Sequence, residues 1–350
     1  MLGTLKNKCT SEIDSKEEAL LERILSKYSF NVFMVEKVRS AYKLYTNKGM
    51  FCLKRISHGY SRAKKAYIVS KHLRDNGFDK LAEYYLTKNK CLFVRYKKST
   101  FYVTKWLKGR EASFNSIEDI LVCSRLLAEF HSKSRGFETA EKTKIEKHYS
   151  NWRSILKRQW SQLSRLYKNK KKTAYDNFDK MYFECFDTHK KLYKMSLRLL
   201  DSKSFDVVAK EGERTKYLCH DSFYYQNVIL VQNRPYIIDM ESCTMDMPVA
   251  DLGKFIRRIM SRSRYLWDFD LCRKIIYAYC QERELTYDEL KVLLAIIVYP
   301  HKYWKLGRKR FIKKKEWTEE KFMRRLKKII KQYEYINEFI YCYKNFYNIL

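Results

Sequence analysis

The stretch YLCHDSFYYQNVILVQNRPYIIDME, residues 217–241, is the most informative part of this chain. Two short apolar runs, residues 228–231 and 236–238, flank the turn residues Gln-Asn-Arg-Pro, a pattern typical of a β-hairpin. Polar side chains stand where the strands stop: His220, Asp221, Ser222 and Asn227 before the hairpin, and Asp239 and Glu241 after it. Mg²⁺ takes oxygen ligands, commonly one or two carboxylates plus substrate phosphates. The stretch therefore predicts a site for Mg²⁺ and a nucleotide.

This arrangement resembles the catalytic half of the protein-kinase-like superfamily, whose pattern is H-x-D-x-x-x-x-N, a β-hairpin and then a metal-binding Asp. Asn227 lies five residues after the position of the pattern's Asp, and Asp239 lies twelve residues after Asn227. The resemblance implies that Asn227 and Asp239 are metal ligands. It also implies that Glu241 holds or orients a second ion.

The catalytic loop departs from the pattern at its base. The position of the pattern's Asp is occupied by Ser222, and the nearest carboxylate stands one residue earlier, at Asp221. A hydroxyl near its free pKa is a poor general base, so Asp221 is the better candidate for the catalytic base. In an extended loop, a shift of one residue would reverse the direction of that side chain. His220 completes the candidate catalytic set and is expected to hydrogen-bond within the loop.

A strand-like run at residues 50–55 contains Lys54, which by the resemblance would contact the α- and β-phosphates of ATP. The nucleotide loop would lie at residues 36–43, which contain no Gly, so Arg39 and Lys43 would supply charge there instead. Kinases pair the strand Lys with a Glu of the next helix. Residues 57–74 contain no acidic side chain, so Lys54 is expected to lack this partner.

Four segments in order resemble the CotS-type spore coat proteins, a bacterial branch of the aminoglycoside-phosphotransferase group. They are FYVTKWLKGRE (101–111), LAEFHSKSRGF (127–137), CHDSFYYQN (219–227) and MPVADLGKFIRR (247–258). The resemblance spans roughly residues 30–345. It implies an α+β, bilobal protein-kinase-like fold, with a small antiparallel-β N-lobe in residues 1–105 and a large helical C-lobe in residues 106–350 that contains the catalytic-loop hairpin 217–241. It also implies a structural His131 and a buried Asp251 that accepts backbone hydrogen bonds from the catalytic loop.

Composition sets independent bounds on the class of protein. Apolar residues make up 45% of the chain, with only three Pro and nine Gly, which favours a folded protein without long linkers. No apolar run approaches the length of a membrane span and the first residues lack a signal-peptide pattern, so a soluble, unexported protein is expected. The ten Cys form no C-x-x-C pair, which indicates a reducing compartment. Taken with the resemblance to spore coat proteins, this implies a cytoplasmic protein of the mother cell that later joins the spore coat.

Charge predicts the kind of partner. The chain carries 73 Lys and Arg against 40 Asp and Glu, a formal net charge of +33. Such a field attracts polyanions, but no nucleic-acid-binding module is recognisable, so no specific nucleic acid is expected. The densest basic runs, residues 168–172 and 308–315, are typical of solvated helix ends or loops. Other coat proteins or acidic partners are the expected partners, and the oligomeric state stays open.

Three functions remain open from the sequence. The shifted Asp221, the missing helix Glu and the missing Gly favour a kinase-like coat component that binds Mg-ATP weakly or not at all and acts mainly in coat assembly. Asn227 and Asp239 favour an active ATP-dependent phosphotransferase on a small hydroxylated molecule or a coat protein. A basic nucleic-acid binder has only the net charge in its favour.

Overall fold

The computed structural model describes residues 13–57, 59–139, 143–170 and 176–349. The basic run at residues 168–172 therefore lies partly outside the described residues. The chain divides into two compact units. The first comprises Met1–Ala112, Glu138–Ile145 and Tyr224–Cys243, and the second comprises Ser113–Phe137, Glu146–Phe223 and Thr244–Leu350. This division assigns residues 224–243 to the first unit, whereas the predicted lobe bounds, 1–105 and 106–350, follow the order of the chain.

Short strands dominate the first unit and helices the second. The strands are β1 (Val32–Val38), β2 (Ala41–Thr46), β3 (Gly49–Ser57), β4 (Tyr84–Tyr85), β5 (Val94–Tyr96), β6 (Ser99–Lys105), β7 (Arg110–Glu111), β8 (Leu218–Cys219), β9 (Val228–Val231), β10 (Arg234–Ile237) and β11 (Thr244–Met245). The helices are α1 (Ser15–Leu25), α2 (Tyr60–Asp75), α3 (Ile117–Lys133), α4 (Trp152–Lys170), α5 (Asn177–Glu184), α6 (Phe186–Leu200), α7 (Lys203–Thr215), α8 (Pro248–Met260), α9 (Phe269–Cys280), α10 (Tyr287–Val298), α11 (His301–Gly307), α12 (Glu319–Ile330) and α13 (Tyr333–Phe346).

The main sheet of the first unit is antiparallel and has the order β1-β2-β3-β6-β4, with β5 also paired to β6. Alternate side chains of β2 and β3, among them Leu44 and Leu53, are buried against α1, where Leu21 and Ile24 complete the core. The turn between β1 and β2 contains Arg39 in the left-handed conformation, with φ of 56°. This sheet confirms the predicted antiparallel N-terminal region.

A second, three-stranded sheet in the first unit positions the hairpin that the sequence singled out. Its order is β10-β9-β7, with Ile237 opposite Val228. Gly109 allows this close approach, since a Cβ at that position would lie 2.2 Å from the carbonyl oxygen of Leu230. The backbone N–H of Ala112 donates to the carbonyl of Val228 and extends the pairing. The hairpin is therefore anchored along β9 as well as by its own turn.

Helices make up most of the second unit and confirm the predicted helical C-terminal part. Helix α8 packs against α10, and an aromatic core gathers α4, α5, α11 and α12 around Tyr182 and Tyr303. Helical spacing over residues 319–346 predicts a single helix there, and this prediction is wrong, because α12 ends at Ile330 and α13 begins at Tyr333. Between them Gln332 is buried, and its amide donates to the Ser261 carbonyl at 3.0 Å. None of the helices in the described ranges has the length and apolarity required to span a membrane.

Candidate nucleotide site and catalytic loop

Lys54 is the centre of an ion-pair network within the first unit. It stands in β3 opposite Tyr102 of β6, so the two side chains share a face of the sheet. The ammonium of Lys54 pairs with Asp239 and with Glu241, whose Oε1 lies 3.0 Å away. The Tyr102 hydroxyl donates to the same Glu241 oxygen at 2.5 Å. The side chains of Lys54 and Glu241 are only 16% and 7% exposed, so the network is largely removed from water.

The charges in this network stabilise one another. Burial alone would raise the pKa of Glu241, but the charge of Lys54 and the hydrogen bond from Tyr102 hold that pKa below its usual range. Burial would likewise lower the pKa of Lys54, and the carboxylates of Glu241 and Asp239 raise it above its usual value. Burial and the Glu241 charge raise the pKa of Tyr102, which keeps its hydroxyl protonated as a donor. Lys54 and Glu241 are therefore fully charged at neutral pH.

Glu241 supplies the partner that Lys54 was expected to lack. Helix α2 does follow β3 and carries no acidic side chain over Tyr60–Arg74. The carboxylate comes instead from the 3₁₀ turn of residues 240–242, directly after the hairpin. Sequence reasoning missed this pairing because it sought a Glu on the next helix. The sequence feature that could have indicated this pairing is the D-x-E spacing of Asp239 and Glu241, which places two carboxylates at one end of the hairpin.

Backbone hydrogen bonds bring Asn227 and Asp239 to the same end of the hairpin. The N–H of Ile238 donates to the Asn227 carbonyl at 3.0 Å, just before Asp239 turns into the left-handed conformation with φ of 70°. Asp tolerates this conformation better than most side chains. Helix α2 secures the following turn, because Lys65 donates to the Cys243 carbonyl at 2.9 Å. Asn227 is buried and 41% of the Asp239 side chain is exposed.

A cavity of about 430 Å³ in the first unit, here called the Lys54 cavity, has these side chains on its wall. Lys54, Asn227 and Asp239 form its polar part, while Ala41, Leu107, Ile229 and Ile237 belong to its apolar part. Pockets of this size and mixed character hold small ligands. An apolar wall suits a base, a Lys suits phosphate oxygens, and a carboxylate with an amide suits Mg²⁺. The donor set therefore fits Mg-ATP.

The two predicted cations of the nucleotide loop have different positions. Arg39 lines the Lys54 cavity and pairs with Glu111 at 2.7 Å, with the Arg39 side chain 55% exposed. Lys43 is not one of the residues that line this cavity. Its ammonium lies 3.6 Å from Glu36 and over the ring of Tyr45. Arg39 is therefore the one of the two cations that is placed for a ligand in the cavity.

Asp221 stands in the second unit, on the wall of a separate cavity there. Its backbone is left-handed, with φ of 61°, so the expectation of an extended loop at this residue is wrong. The Asp221 carboxylate is 43% exposed and accepts a hydrogen bond from Lys254 of α8 at 2.5 Å. Ser222 is half-buried and lines neither this cavity nor the Lys54 cavity. Asp221 is thus the loop side chain that faces open space.

Asp251 of α8 holds the backbone of the catalytic loop, as expected. Its carboxylate accepts from the backbone N–H of His220 at 2.5 Å and from that of Asp221 at 3.1 Å. It also lies 3.6 Å from Nε2 of His131. Burial alone would raise the pKa of Asp251, but His131 and Lys254 bring it down to about 2. His131 and His220 are both fully buried, and His131 further hydrogen-bonds the Tyr279 hydroxyl at 2.7 Å.

Comparisons with known proteins identify the family and the fold. Residues 21–343 match the family described as "Spore coat putative kinase YutH". Spore coat protein S of Bacillus subtilis (strain 168) is 22% identical over 330 residues, which cover 93% of each chain. This finding confirms the resemblance to CotS-type spore coat proteins.

Solved structures share the fold. An aminoglycoside phosphotransferase from Alicyclobacillus acidocaldarius superimposes with a TM-score of 0.83 at 20% identity, over 94% of this chain and 96% of that one. A spectinomycin phosphotransferase in complex with ADP and spectinomycin superimposes with a TM-score of 0.60 at 16% identity, over 92% of this chain and 93% of that one. The fold is therefore that of the aminoglycoside-phosphotransferase-like kinases. With nearly its whole length matched, the chain belongs to the YutH family of kinase-like spore coat proteins.

Proposed function

We propose that this protein is a kinase-like component of the spore coat that binds Mg-ATP in the Lys54 cavity. The observation that carries the proposal is the Lys54–Asp239–Glu241 network, of which Lys54 and Asp239 line a nucleotide-sized cavity. The absence of a Glu on α2 was one of the sequence arguments against nucleotide binding. Glu241 removes that argument because it orients Lys54 from another element. The ADP complex of the spectinomycin phosphotransferase, which has the same fold, supports the proposal.

Each residue has a distinct part in this proposal. Lys54 would contact phosphate oxygens, and Glu241 and Tyr102 would hold its ammonium in place. Asp239 and Asn227 would hold Mg²⁺, and Arg39 would add positive charge near the phosphates. Bound Mg²⁺ neutralises phosphate charge and so lowers the barrier to phosphoryl transfer. In the apo protein Asp239 pairs with Lys54, so metal binding would compete with that pair.

The cellular role that we propose is coat assembly, with coat localisation supported by the family and by spore coat protein S. The net charge of +33 suits acidic coat partners. A kinase fold that binds nucleotide can order a docking surface whether or not it transfers phosphate. Nucleotide binding would then be a means of stabilising the first unit during assembly.

A second candidate function is ATP-dependent phosphoryl transfer to a hydroxyl acceptor. The observation in its favour is the exposed Asp221 carboxylate, which is held by Lys254 and by the backbone bonds to Asp251. Asp221 would accept the proton of the acceptor hydroxyl as the hydroxyl oxygen attacks the γ-phosphorus and the bond to the β–γ bridging oxygen breaks. Ser222 takes no part in this step, since a neutral hydroxyl accepts protons poorly.

Thermal unfolding with Mg²⁺ alone, ATP alone and both together tests the first proposal. A ligand at a hundredfold excess over its dissociation constant stabilises the folded state by about 2.7 kcal/mol. We expect a Mg²⁺-dependent ATP shift that Asp239→Ala removes. Asp270→Ala, which removes an exposed carboxylate on α9, is the matched control and should retain the shift. The absence of any shift in the wild-type protein under all three conditions would contradict the proposal.

Phosphate transfer from radiolabelled ATP to coat extracts or to water tests the second candidate. Asp221→Asn keeps the size of the side chain and removes its basicity, so we expect turnover to fall by about 10²–10⁴-fold while the ATP-induced thermal shift stays. Turnover that survives both Asp221→Asn and Asp239→Ala would contradict the assigned roles. A thermal shift without turnover would leave the first proposal standing alone.

A further inference from the structure

The cavity beside Asp221 is strongly basic. It has a volume of about 910 Å³, lies entirely within the second unit, and is lined by five Lys and five Arg side chains. They come from several elements of that unit. Lys254, Arg257 and Arg258 stand on α8, while Lys302 and Lys305 stand on α11 and Arg325 on α12. We call this space the basic cavity.

Only two carboxylates line the basic cavity within the described part of the chain, and both already have partners. Asp221 pairs with Lys254 at 2.5 Å. Asp246 accepts from the indole N–H of Trp152 at 3.1 Å and from the backbone N–H of Met247 at 2.8 Å. Burial raises the pKa of Asp246 to about 6, so its own negative charge is disfavoured. The protein thus leaves most of the positive charge here without an acidic counterpart.

Three of the cations contact neutral groups. Arg257 donates to the carbonyl of Ile296 at 2.7 Å, and Lys302 donates to the carbonyl of Ser261 at 2.7 Å. Arg325 lies over the ring of Trp317, with 4.6 Å from Cζ to the ring centroid. Carbonyl dipoles and aromatic faces orient cations without neutralising them. These contacts hold the positive charges in place and leave the charge available to a ligand.

Repulsion among the cations lowers the pKa values of basic side chains on the wall of the basic cavity. The surrounding protein, together with the charges of Arg257 and Arg262, lowers the pKa of Lys302 to about 8. Burial and the neighbouring Arg258 lower the pKa of Arg257 to about 10. His301 is kept neutral, since burial and the adjacent cations lower its pKa to about 2. Concentrated like charge of this kind costs stability unless an anion is present.

We propose that the basic cavity binds a small polyanion, a molecule with several phosphate or carboxylate groups. Arg offers a planar fork for such groups and Lys a compact point charge, and the wall provides both. The volume accommodates a molecule at least as large as a nucleotide. Amino sugars, which are cationic, would meet uncompensated positive charge and are excluded. The proposal does not depend on nucleotide binding; if the second candidate function holds, the polyanion is the acceptor beside Asp221.

Isothermal titration without Mg²⁺ tests the proposal, with sodium tripolyphosphate, citrate and the cationic amino sugar kanamycin as probes. We expect tripolyphosphate or citrate to bind and kanamycin not to bind. Lys302→Met should weaken binding by roughly tenfold or more, since it removes one charged contact. Lys191→Gln combined with Lys194→Gln, which removes exposed charge on α6, is the control and should leave affinity within about twofold.

Lys302→Met is suited to this test because it should not destabilise the fold. A lysine whose pKa is lowered in the folded state costs stability while it is charged, so its removal should raise the melting temperature of the free protein. The Ser261 carbonyl would still accept from Gln332 at 3.0 Å. Weaker binding by a variant that is at least as stable as the wild type cannot come from unfolding.

Proton uptake gives a second readout. At pH 8 about half of Lys302 is uncharged, and an adjacent anion would raise its pKa and draw a proton from the buffer. Titrations in two buffers of different ionisation enthalpy should show net uptake for the wild type and less for Lys302→Met. Equal uptake by the two proteins would overturn the part assigned to Lys302.

Tripolyphosphate could also contact Lys54, so the titration is repeated on Lys54→Met. Binding that survives in Lys54→Met and weakens in Lys302→Met supports the basic cavity. Binding that is lost in Lys54→Met and unchanged in Lys302→Met overturns the basic-cavity proposal and leaves the nucleotide proposal intact. Failure of both tripolyphosphate and citrate to bind any form of the protein overturns it outright. Citrate binding alone would identify the ligand as a polycarboxylate.

Discussion

At the scale of single residues, the candidate nucleotide site depends on one buried charge network. Lys54 is 185 positions away from Asp239 and 187 from Glu241, yet all three side chains meet. Glu241 is the most buried of the three. Its carboxylate forms an ion pair with Lys54 and accepts a hydrogen bond from Tyr102. Removal of one partner of a buried pair leaves the other charge poorly compensated, which costs far more than loss of an exposed pair. Glu241 should therefore matter to stability as well as to ligand binding.

We expect Glu241→Gln to lower the free energy of unfolding by about 3 kcal/mol, because Lys54 would keep only the half-exposed Asp239. Urea denaturation at neutral pH measures the change. The lowered pKa of Glu241 means that its contribution is present above the ordinary value of 4.5 and is lost as the pH falls through the folded-state pKa. The difference between variant and wild type should therefore shrink below pH 4.5.

Asp75→Asn is the control for this prediction, because Asp75 forms an exposed pair with Lys71 at 2.8 Å on α2. It should change the free energy of unfolding by no more than about 0.5 kcal/mol. A Glu241→Gln variant as stable as this control would show that Lys54 does not need Glu241.

At the scale of secondary-structure elements, α8 organises the second unit. Its first turn carries Asp251, which fixes the backbone of the catalytic loop, and its next turn carries Lys254, which pairs with Asp221. Between them Gly253 faces α10, and a Cβ there would lie 2.7 Å from Cγ2 of Ile296. The close packing of α8 on α10 therefore sets the position of Asp251 and Lys254.

Gly253→Ala should destabilise the protein by up to about 2 kcal/mol, because overpacking of the α8–α10 contact costs about 1–3 kcal/mol and the better helix propensity of Ala offsets only about 1 kcal/mol of it. The midpoint of urea unfolding measures this cost. Gly212→Ala on α7 is the matched control, since its Cβ would meet the edge of the Tyr149 ring at 3.0 Å. The free energy of unfolding of Gly212→Ala should stay within about 1 kcal/mol of the wild-type value. Equal midpoints for the two variants would argue against tight α8–α10 packing.

At the scale of the whole molecule, charge is the dominant feature. A net charge of +33 on 350 residues repels itself, and this repulsion lowers the stability of the compact state. The ten cations of the basic cavity concentrate part of that repulsion in the second unit. Salt screens it, because the Debye length falls from about 30 Å at 0.01 M to about 8 Å at 0.15 M.

The melting temperature should therefore rise by a few degrees when sodium chloride is raised from about 0.01 M to 0.15 M at pH 7. Differential scanning calorimetry measures the change. The rise should be smaller in Lys302→Met, which has lost one of the clustered charges. A melting temperature that is constant or falls with salt would show that the net charge does not limit stability.

The fold class and the family could both be predicted from the sequence. The strand-like run at residues 50–55 and the hairpin at residues 228–238 are local patterns, and local patterns can be recognised along the chain. The prediction of one helix over residues 319–346 is wrong, because the chain forms two helices there, and Gln332 between them contacts the distant Ser261. Its periodicity alone could not show that contact.

By itself, the sequence determined which residue types stand at each strand and helix end, and hence the candidate set that includes Lys54, Asn227 and Asp239. Tertiary structure alone decided which charges meet. It paired Glu241 with Lys54, paired Asp221 with Lys254, and gathered Lys and Arg from separate helices around one cavity that only two carboxylates line among the described residues. The physical reason is that ion pairs act through space over a few ångströms, whereas sequence patterns report only on neighbours along the chain.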